Sequence, residues 1–326
     1  APVLDYFSPD FLSGRRMKDL EAQVGQWHTG NTLYQQTVVN ALVTGEMFQM
    51  PAGAAAAAIG LEFRDYSIDD QPSALSTGGD LWGQSSAQVT KGNDQVMEAL
   101  VEMEFPLLKG KPGFESLTFN TSGRIFDYDS LDGTDHVWKA GLNWQINSAL
   151  RLRATRGTSF RAPGLYELYL GDQTGFASQL SIDPCILWGE SNNDFIKANC
   201  AAAGIPDDYT GAASSATIVS GGGAGFLVPE RSTAFTAGIV FTPSFANLSI
   251  AVDYFDYDVR KQIGQLATSS ILGGCYGSPI YPNSFCDLFE RNPGNHPTDP
   301  FKIETVYNTY INIDQQQVKG YDLIVN

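Results

Sequence analysis

The chain is organised by a repeated alternation of apolar and polar residues. Between Leu150 and Thr155, Leu and Ala residues alternate with Arg and Thr, which creates two unlike faces. A period of two residues is typical of a β-strand. Comparable segments begin near residues 33, 57, 97, 117, 138, 150, 235, 248, 303 and 318. The pattern therefore predicts an all-β chain of about ten antiparallel strands.

The predicted connections between these strands are of two kinds. Short turns are predicted at 51–54, 108–114 and 147–149, and long polar loops at 67–92, 129–135 and 161–230. Short turns at one end and long loops at the other are typical of an up-and-down transmembrane β-barrel. A soluble β-sandwich would also alternate, but it would bury the apolar face against a second sheet.

The polar faces of several strands carry charged residues at mid-strand. These residues are Glu98, Glu102, Glu104, Arg124, Lys139, Arg151 and Arg153. A barrel in lipid turns its apolar face outward and encloses such charges in a wet interior. The unequal connections favour this arrangement over the sandwich.

The same pattern divides the chain into segments of one barrel domain. Residues 1–32 are predicted to form a loop with a short amphipathic helix that is capped by Ser8 and packs its apolar side on a neighbour. Strands are predicted at 33–160, 231–263 and 303–326, and long loops at 161–230 and 264–302. The run Gly221 to Gly223 predicts a flexible part of the first long loop.

Composition excludes several classes of protein. The chain has 326 residues with 20 basic and 36 acidic side chains, so its formal charge is 20 − 36 = −16. Nucleic-acid binding needs basic patches and is not expected. The acidic balance indicates either simple solubility or attraction of cationic or metal-bearing ligands. The sequence contains no run of about 18 apolar residues, so no transmembrane helix is predicted. The first residues do not have the pattern of a signal peptide.

Three stretches of the sequence resemble a known family. The first is R-x-T-R-x-x-x-F-R-A-P-x-L-x-E-L-Y, which runs from Arg153 to Tyr169. The second is Pro229-Glu230-Arg231-Ser232 before a strand, and the third is Val318-Lys319-Gly320-Tyr321-Asp322 at the start of another. In this order they resemble the barrel of the TonB-dependent outer-membrane receptors, from about Leu33 to the end of the chain.

The resemblance implies a location and an activity. It implies a bacterial outer-membrane receptor that binds a scarce nutrient at its outer face and imports it with energy from the TonB complex. Barrels of this family have about 22 strands around a plug domain. No plug is identifiable here, so the chain is expected to be part of a larger receptor. The expected partners are outer-membrane lipid, a small nutrient of unknown type, and TonB through that plug.

Four cysteines lie in the two long loops. They form local pairs in the sequence, Cys185 with Cys200 and Cys275 with Cys286. Disulfides between these neighbours would need an oxidising compartment, which the bacterial exterior supplies. Four cysteines allow three connectivities, and four reduced thiols are the alternative. With three scattered histidines no zinc site is predicted, and no other metal site or cofactor is predicted.

Aromatic residues of the long loops are the candidate ligand-binding residues. They are Trp82, Tyr166, Tyr169, Trp188, Tyr276 and Tyr281. Aromatic rings beside polar groups suit the capture of an amphipathic ligand. Packing within the loops or a position at the membrane interface is the alternative for each of them.

Two other functions are compatible with a β-rich chain. One is a soluble extracellular binding module or adhesin, which would account for the loops and disulfides but not for the unequal connections. The other is a secreted hydrolase that uses two carboxylates. The sequence contains no Ser/His/Asp arrangement, metal cluster or isolated carboxylate pair, so no catalytic residue is predicted and the protein is not expected to be an enzyme.

Overall fold

The computed structural model describes residues 5–81, 86–211, 214–313 and 315–326. The strands are β1 Asn31–Met50, β2 Gly53–Gln71, β3 Thr90–Lys111, β4 Phe114–Tyr128, β5 Asp135–Asn147, β6 Leu150–Arg161, β7 Gln173–Ser178, β8 Ser215–Ser220, β9 Glu230–Phe241, β10 Ile250–Arg260, β11 Gln262–Gly264, β12 Phe289–Arg291, β13 Ile303–Tyr307, β14 Ile311–Ile313 and β15 Gln316–Val325. The α-helices are α1 Pro9–Leu12, α2 Met17–Val24, α3 Ala74–Thr77, α4 Leu165–Tyr169, α5 Gln179–Ile182, α6 Asp194–Ala202 and α7 Thr268–Tyr276. Short 3-10 helices lie at Trp188–Glu190 and Ser284–Leu288.

Nine strands form one large antiparallel sheet. Its order is β1-β2-β3-β4-β5-β6-β9-β10-β15, and every neighbouring pair is antiparallel. Within the described residues β1 and β15 are the edges, so the sheet is an open portion of a barrel. The predicted all-β, up-and-down architecture with short turns and long loops is confirmed.

The outer face of this sheet is apolar and exposed. Leu61 is 62% exposed, Met97 is 67% exposed and Leu323 is 68% exposed. No second sheet covers them in the part of the chain that the structure describes, although a sandwich would need one. An exposed apolar face of this extent is the surface that a barrel presents to lipid.

The concave face carries the predicted charges. Glu102 lies opposite Ser122 on β4, and Ser122 lies opposite Lys139 on β5, so all three share this face. Arg153 of β6 and Asp253 of β10 are paired here, with Nε 2.9 Å from Oδ1. They meet across Gly238 of β9, where an added Cβ would collide with the Asp253 carboxylate. A glycine is required because the ion pair passes over that strand.

The strands extend further toward the long loops than the sequence indicated. The loop predicted at 67–92 is shorter, because β2 continues to Gln71 and β3 begins at Thr90. At the strand ends next to the long loops, which we call the mouth, both faces of a strand contact water or the loops. Apolar and polar residues therefore no longer alternate there, although the strands remain hydrogen-bonded to each other. The ladder still pairs Asp70 with Thr90.

The strand predicted from Ile303 to Ile311 differs from the structure. It is divided into β13 and β14, and neither belongs to the large sheet. β13 pairs with β12 and β8, and β15 is the strand that pairs with β10. Alternation reports that a segment is a strand, but it does not report which sheet the strand joins.

The two long loops fold together into one unit, which we call the outer module (residues 172–211, 214–220 and 264–307). Its sheet has the order β12-β13-β8-β7. Residues from both loops share one core, namely Ile182, Cys185, Cys200, Ile205, Ala216, Ile271, Leu272, Cys275, Tyr276, Ile303 and Val306. Both predicted disulfides are present, with Cα–Cα distances of 5.6 Å for Cys185–Cys200 and 4.9 Å for Cys275–Cys286.

Two smaller expectations also differ from the structure. The run Gly221 to Gly223, predicted to be flexible, is held by main-chain hydrogen bonds to Leu170, Glu167 and Tyr310. The N-terminal helix is divided into α1 and α2. Ser8 caps α1 as predicted, but Leu12 of α1 and Val24 of α2 are each 70% exposed, so the predicted packing of the apolar side is largely absent among the described residues. None of the described helices has both the length and the apolar character needed to cross a membrane.

Candidate functional site

A polar cavity of about 370 Å³ opens on the concave face near the mouth. Its walls are side chains of β1, β2, β3, β4 and β6, and its roof is the chain just after β6. The lining residues are Tyr34, Gln36, Arg64, Tyr66, Glu98, Arg124, Tyr128, Phe160, Arg161, Ala162, Pro163 and Gly164.

Strand alternation places the charged groups of the cavity on one face. Glu62 of β2 lies directly opposite Glu98 of β3, and like charges in such a pair repel. Two arginines neutralise them: Arg64 pairs with Glu62, and Arg124 Nη1 lies 3.1 Å from Glu98 Oε2. The Glu98 side chain is 4% exposed, whereas that of Arg124 is 44% exposed. The carboxylate therefore lies beneath, and the guanidinium faces the cavity.

One wall of the cavity is fixed by the buried carboxylate of Asp94. Its Oδ2 accepts hydrogen bonds from the hydroxyls of Tyr66 (3.0 Å) and Ser130 (2.6 Å). Its Oδ1 accepts from the main-chain N–H groups of Gln95 (2.9 Å) and Ser130 (3.0 Å). The strand residue Tyr66 and the β4–β5 loop are thus held together, and the hydroxyl hydrogen of Tyr66 is already engaged.

Tyr128 and Phe160 form the aromatic floor beside these charges, and Phe126 packs behind them. Phe126 and Phe160 are stacked with their centroids 3.5 Å apart, and Tyr128 meets both rings edge-on at 5.9 Å. Val96 packs against this cluster. These packed rings give the cavity an apolar surface beside its guanidinium groups.

The roof is the start of the first long loop, residues 162–171, which we call the mouth strap. It leaves β6 at Arg161, whose guanidinium contacts both carboxylate oxygens of Glu167 at 2.8 and 2.9 Å. The same guanidinium lies 2.7 Å from Glu230 at the start of β9. These three residues belong to two of the recognised motifs, so the motifs meet at one ion-pair cluster.

The predicted ligand-binding aromatics do not line this cavity. The Tyr166 ring is 42% exposed, and its hydroxyl accepts a hydrogen bond from Gln173. Tyr169 donates its hydroxyl hydrogen to the Asn93 carbonyl (3.1 Å), and burial raises its pKa, with Asp94 nearby acting in the same direction. Trp82 lies outside the described residues.

The other three candidates lie in the outer module. Trp188 donates its indole N–H to the Ile205 carbonyl at 3.1 Å. Tyr276 is 3% exposed and stacks on Tyr281 with centroids 5.7 Å apart. Burial raises the pKa of Tyr276 to about 12. These rings contribute to packing of the module, and Arg291 lies over the Tyr276 ring at 5.1 Å.

Strand alternation predicts the charged faces correctly, but it does not predict which residues come together in the cavity. Arg124 and Glu98 were identified as interior charges, whereas Tyr34 and Tyr128 were missed. The available signal was the coincidence of Tyr and Arg on polar faces near the loop ends of neighbouring strands. Among the described side chains no group of three His, Cys, Asp or Glu residues could hold a metal ion.

Comparison with known proteins gives one family match. A family model described as TonB dependent receptor-like, beta-barrel matches residues 4–326. A comparison with curated protein sequences finds no match.

Solved structures share the fold. The ferric enterobactin receptor PfeA of Pseudomonas aeruginosa, in complex with enterobactin, matches with a TM-score of 0.54 and 15% identity, over 90% of this chain and 33% of its own. The siderophore receptor PirA of the same organism matches with 0.51 and 12%, over 90% and 39%. The Serratia marcescens hemophore receptor HasR, in complex with its hemophore HasA and heme, matches with 0.53 and 17%, over 92% and 40%. The chain thus spans about a third of the length of the first of these receptors.

Proposed function

The chain belongs to the TonB-dependent receptor β-barrel family, whose members are bacterial outer-membrane proteins, and from this premise we propose that it forms part of a nutrient receptor. The receptor captures a small, scarce nutrient at its outer mouth and imports it with energy from TonB. TonB is reached through a plug domain of the whole receptor. The family is one of receptors and not a class of enzymes.

The observation that carries this proposal is the number of hydrogen-bond donors in the cavity wall. Three guanidinium groups and one carboxylate line it, although the whole chain has a formal charge of −16. The single lining carboxylate, Glu98, is nearly covered. Each guanidinium is paired with a carboxylate, but guanidinium and phenol groups offer several hydrogen-bond donors, so the cavity suits a ligand rich in acceptor oxygens. The aromatic floor adds a surface for flat rings.

Enterobactin and heme, the ligands named for two of the solved relatives, suggest two of the probes. We propose testing full-length receptor in detergent with four compounds: an anionic ferric tris-catecholate, an uncharged ferric hydroxamate, heme and cyanocobalamin. Quenching of tryptophan fluorescence reports binding. The catecholate or heme is expected to bind, because guanidinium N–H groups in the cavity wall can donate to their oxygen atoms.

Variants locate the binding site. Arg124→Gln removes a guanidinium that faces the cavity and is expected to weaken binding about tenfold, in line with loss of one charge-assisted hydrogen bond. Arg156→Gln is the matched control, because Arg156 is exposed and forms no salt bridge within the described ranges. The proposal would be contradicted if none of the four probes binds, or if Arg124→Gln and Arg156→Gln bind the probe with equal affinity.

A further inference from the structure

Tyr66 and Asp94 are direct neighbours across two strands of the large sheet. The register pairs Tyr66 of β2 with Asp94 of β3, and the phenol oxygen lies 3.0 Å from Asp94 Oδ2. Asp94 is fully buried, and no salt bridge joins it to another described residue. A buried carboxylate without a counter-charge depends on hydrogen-bond donors, so the groups around Asp94 are there to donate.

Four donors surround Asp94, and they divide between its two oxygens. Oδ1 accepts from the main-chain N–H groups of Gln95 and Ser130 at 2.9 and 3.0 Å. Oδ2 accepts from the hydroxyls of Tyr66 and Ser130, the latter at 2.6 Å. Main-chain N–H groups only donate, and an ionised carboxylate only accepts. The direction of all four hydrogen bonds is therefore fixed.

This fixed direction leaves Tyr66 with one role in the cavity. A phenol has one hydrogen to donate, and its oxygen can also accept. Because the hydrogen of Tyr66 points to Asp94, the oxygen lone pairs remain for a ligand. The cavity wall also contains Arg64, Arg124 and Arg161, whose guanidinium groups can only donate. Tyr66 thus adds an acceptor to a wall that is otherwise rich in donors.

We propose that Asp94 is a positioning residue that makes Tyr66 a hydrogen-bond acceptor, so that the cavity selects a nutrient with an O–H or N–H group beside its acceptor oxygens. A ligand that presents only acceptor oxygens would leave the Tyr66 oxygen without a donor, and an unpaired polar group in a closed contact costs affinity. This selectivity rests on the proposed function, whereas the hydrogen-bond direction at Tyr66 is a property of the protein alone.

Asp94→Asn reverses this polarity with almost no change in shape. The side-chain oxygen of the variant must face the two main-chain N–H groups, because its NH₂ group cannot accept from them. The NH₂ group then faces the two hydroxyls and donates to Tyr66. The hydroxyl hydrogen of Tyr66 becomes available to a ligand, so the same phenol offers a donor in place of an acceptor.

The first measurement needs no ligand. Ultraviolet resonance Raman spectra of the full-length receptor in detergent are recorded for the native and Asp94→Asn proteins, and each is subtracted from its counterpart that also carries Tyr66→Phe. The intensity ratio of the tyrosine doublet distinguishes a phenol that donates from one that accepts. The Tyr66 signal is expected to be that of a donor in the native protein and of an acceptor in Asp94→Asn. An unchanged ratio would overturn the proposal.

The second measurement tests selectivity with a matched pair of probes. They are a ferric tris-catecholate whose amide groups carry N–H and its N-methylated analogue, which lacks these donors. The native receptor is expected to bind the N–H compound about fivefold more tightly, in line with one hydrogen bond. Asp94→Asn is expected to abolish or reverse this preference, because Tyr66 no longer offers an acceptor.

Asp127→Asn is the matched control for the charge that Asp94→Asn removes. Asp127 also accepts a hydroxyl hydrogen from the β4–β5 loop, that of Thr134 at 2.7 Å. It is not among the residues that line the cavity. The control should therefore keep the native preference for the N–H compound. Loss of the preference in both variants would assign the effect to charge or loop packing and would overturn the role of Tyr66.

A variant of the phenol itself provides an independent test. Tyr66→Phe removes the acceptor and leaves Asp94 three of its four donors. It should bind the two catecholates equally, and adding Asp94→Asn should then change their ratio no further. A preference for the N–H compound in Tyr66→Phe would overturn the proposal, also in the case that Asp94→Asn does not fold.

The outcomes separate this inference from the proposed function. Equal binding of the two catecholates by the native receptor would overturn the selectivity and leave the receptor function in place. Failure of every probe to bind would contradict the proposed function and with it the selectivity. The Raman result would still decide whether Asp94 sets the hydrogen-bond direction of Tyr66.

Discussion

Arg291 and Asp183 form a buried ion pair that joins the two long loops. Arg291 Nη1 lies 2.8 Å from Asp183 Oδ2, and Nη2 lies 2.7 Å from Oδ1. Their side chains are 9% and 0% exposed, and they are 108 residues apart in the sequence. Asp183 also accepts the Cys185 N–H at 2.9 Å. The pair therefore lies beside the first disulfide and ties the second loop to it.

Removing one partner of this pair should unfold the outer module before the barrel. Asp183→Asn leaves a buried guanidinium without its counter-charge, which costs about 3–5 kcal/mol. Limited proteolysis of the full-length receptor should then cut within the two long loops, while heat-modifiable migration of the barrel persists. The control is Lys302→Gln, which breaks the more exposed pair with Glu304. Equal protease resistance of Asp183→Asn and the native protein would refute the prediction.

The first disulfide should stabilise the same module. It closes a separation of 15 residues, for which loop-closure entropy predicts about 3 kcal/mol. Cys185→Ala/Cys200→Ala should therefore lower the melting temperature of the outer module. Differential scanning calorimetry with proteolysis at each temperature would show this. A reducing agent should act slowly on the native protein, because both sulfur-bearing residues are fully buried. Rapid reduction of the Cys185–Cys200 disulfide while the outer module stays folded would contradict this prediction.

Gly222 should tolerate no side chain. An added Cβ would lie 2.2 Å from the Leu168 carbonyl oxygen and 2.8 Å from the Leu170 nitrogen, and both are main-chain atoms that cannot swing aside. Gly222→Ala is expected to destabilise the strap junction by about 1–3 kcal/mol. Hydrogen exchange of residues 164–171 should increase accordingly.

Gly273 offers a matched control for that substitution. It lies inside α7, and apart from its chain neighbours and the backbone of its own helix no atom lies within 4 Å of its ideal Cβ. Gly273→Ala should be neutral or stabilise by up to about 1 kcal/mol, because alanine favours helices. If hydrogen exchange of residues 164–171 is similar in Gly222→Ala and Gly273→Ala, the close main-chain approach at Gly222 does not contribute to stability.

Alkaline pH should weaken the outer module through Tyr276. Burial raises the pKa of this phenol to about 12, whereas an unfolded tyrosine titrates near 10. The proton is held more tightly in the folded state, so the stabilising contribution is complete below about pH 10 and is lost as pH rises through about 12. From about pH 10 to about pH 12, the free energy of unfolding of the native outer module should fall by about 2 kcal/mol relative to that of the Tyr276→Phe variant. Thermal melts of the two receptors across this pH range would measure the difference. Parallel pH profiles would contradict the assignment.

Much of the architecture could be predicted because strand alternation is a local signal. Met97 and Glu98 reveal two faces whatever their neighbours are, and the close spacing of Cys275 and Cys286 favours a local disulfide. The place of β13 could not be predicted, because an alternating strand fits either sheet equally well. Gly222 shows the same limit: a glycine in sequence can mean mobility or close packing, and only its neighbours distinguish these.

The sequence by itself determined that this is an alternating, antiparallel β-chain with a charged interior face, an apolar outer face and two disulfide-bearing loops. It also carried the family motifs. Only the tertiary structure decided that Arg161 meets Glu230, 69 residues away, that the strap crosses to β3, and that Tyr34, Arg64 and Arg124 line one cavity. The physical reason is that alternation records the surroundings of each residue one strand at a time. A site assembled from five strands and a loop depends on register and chain reversals over long separations.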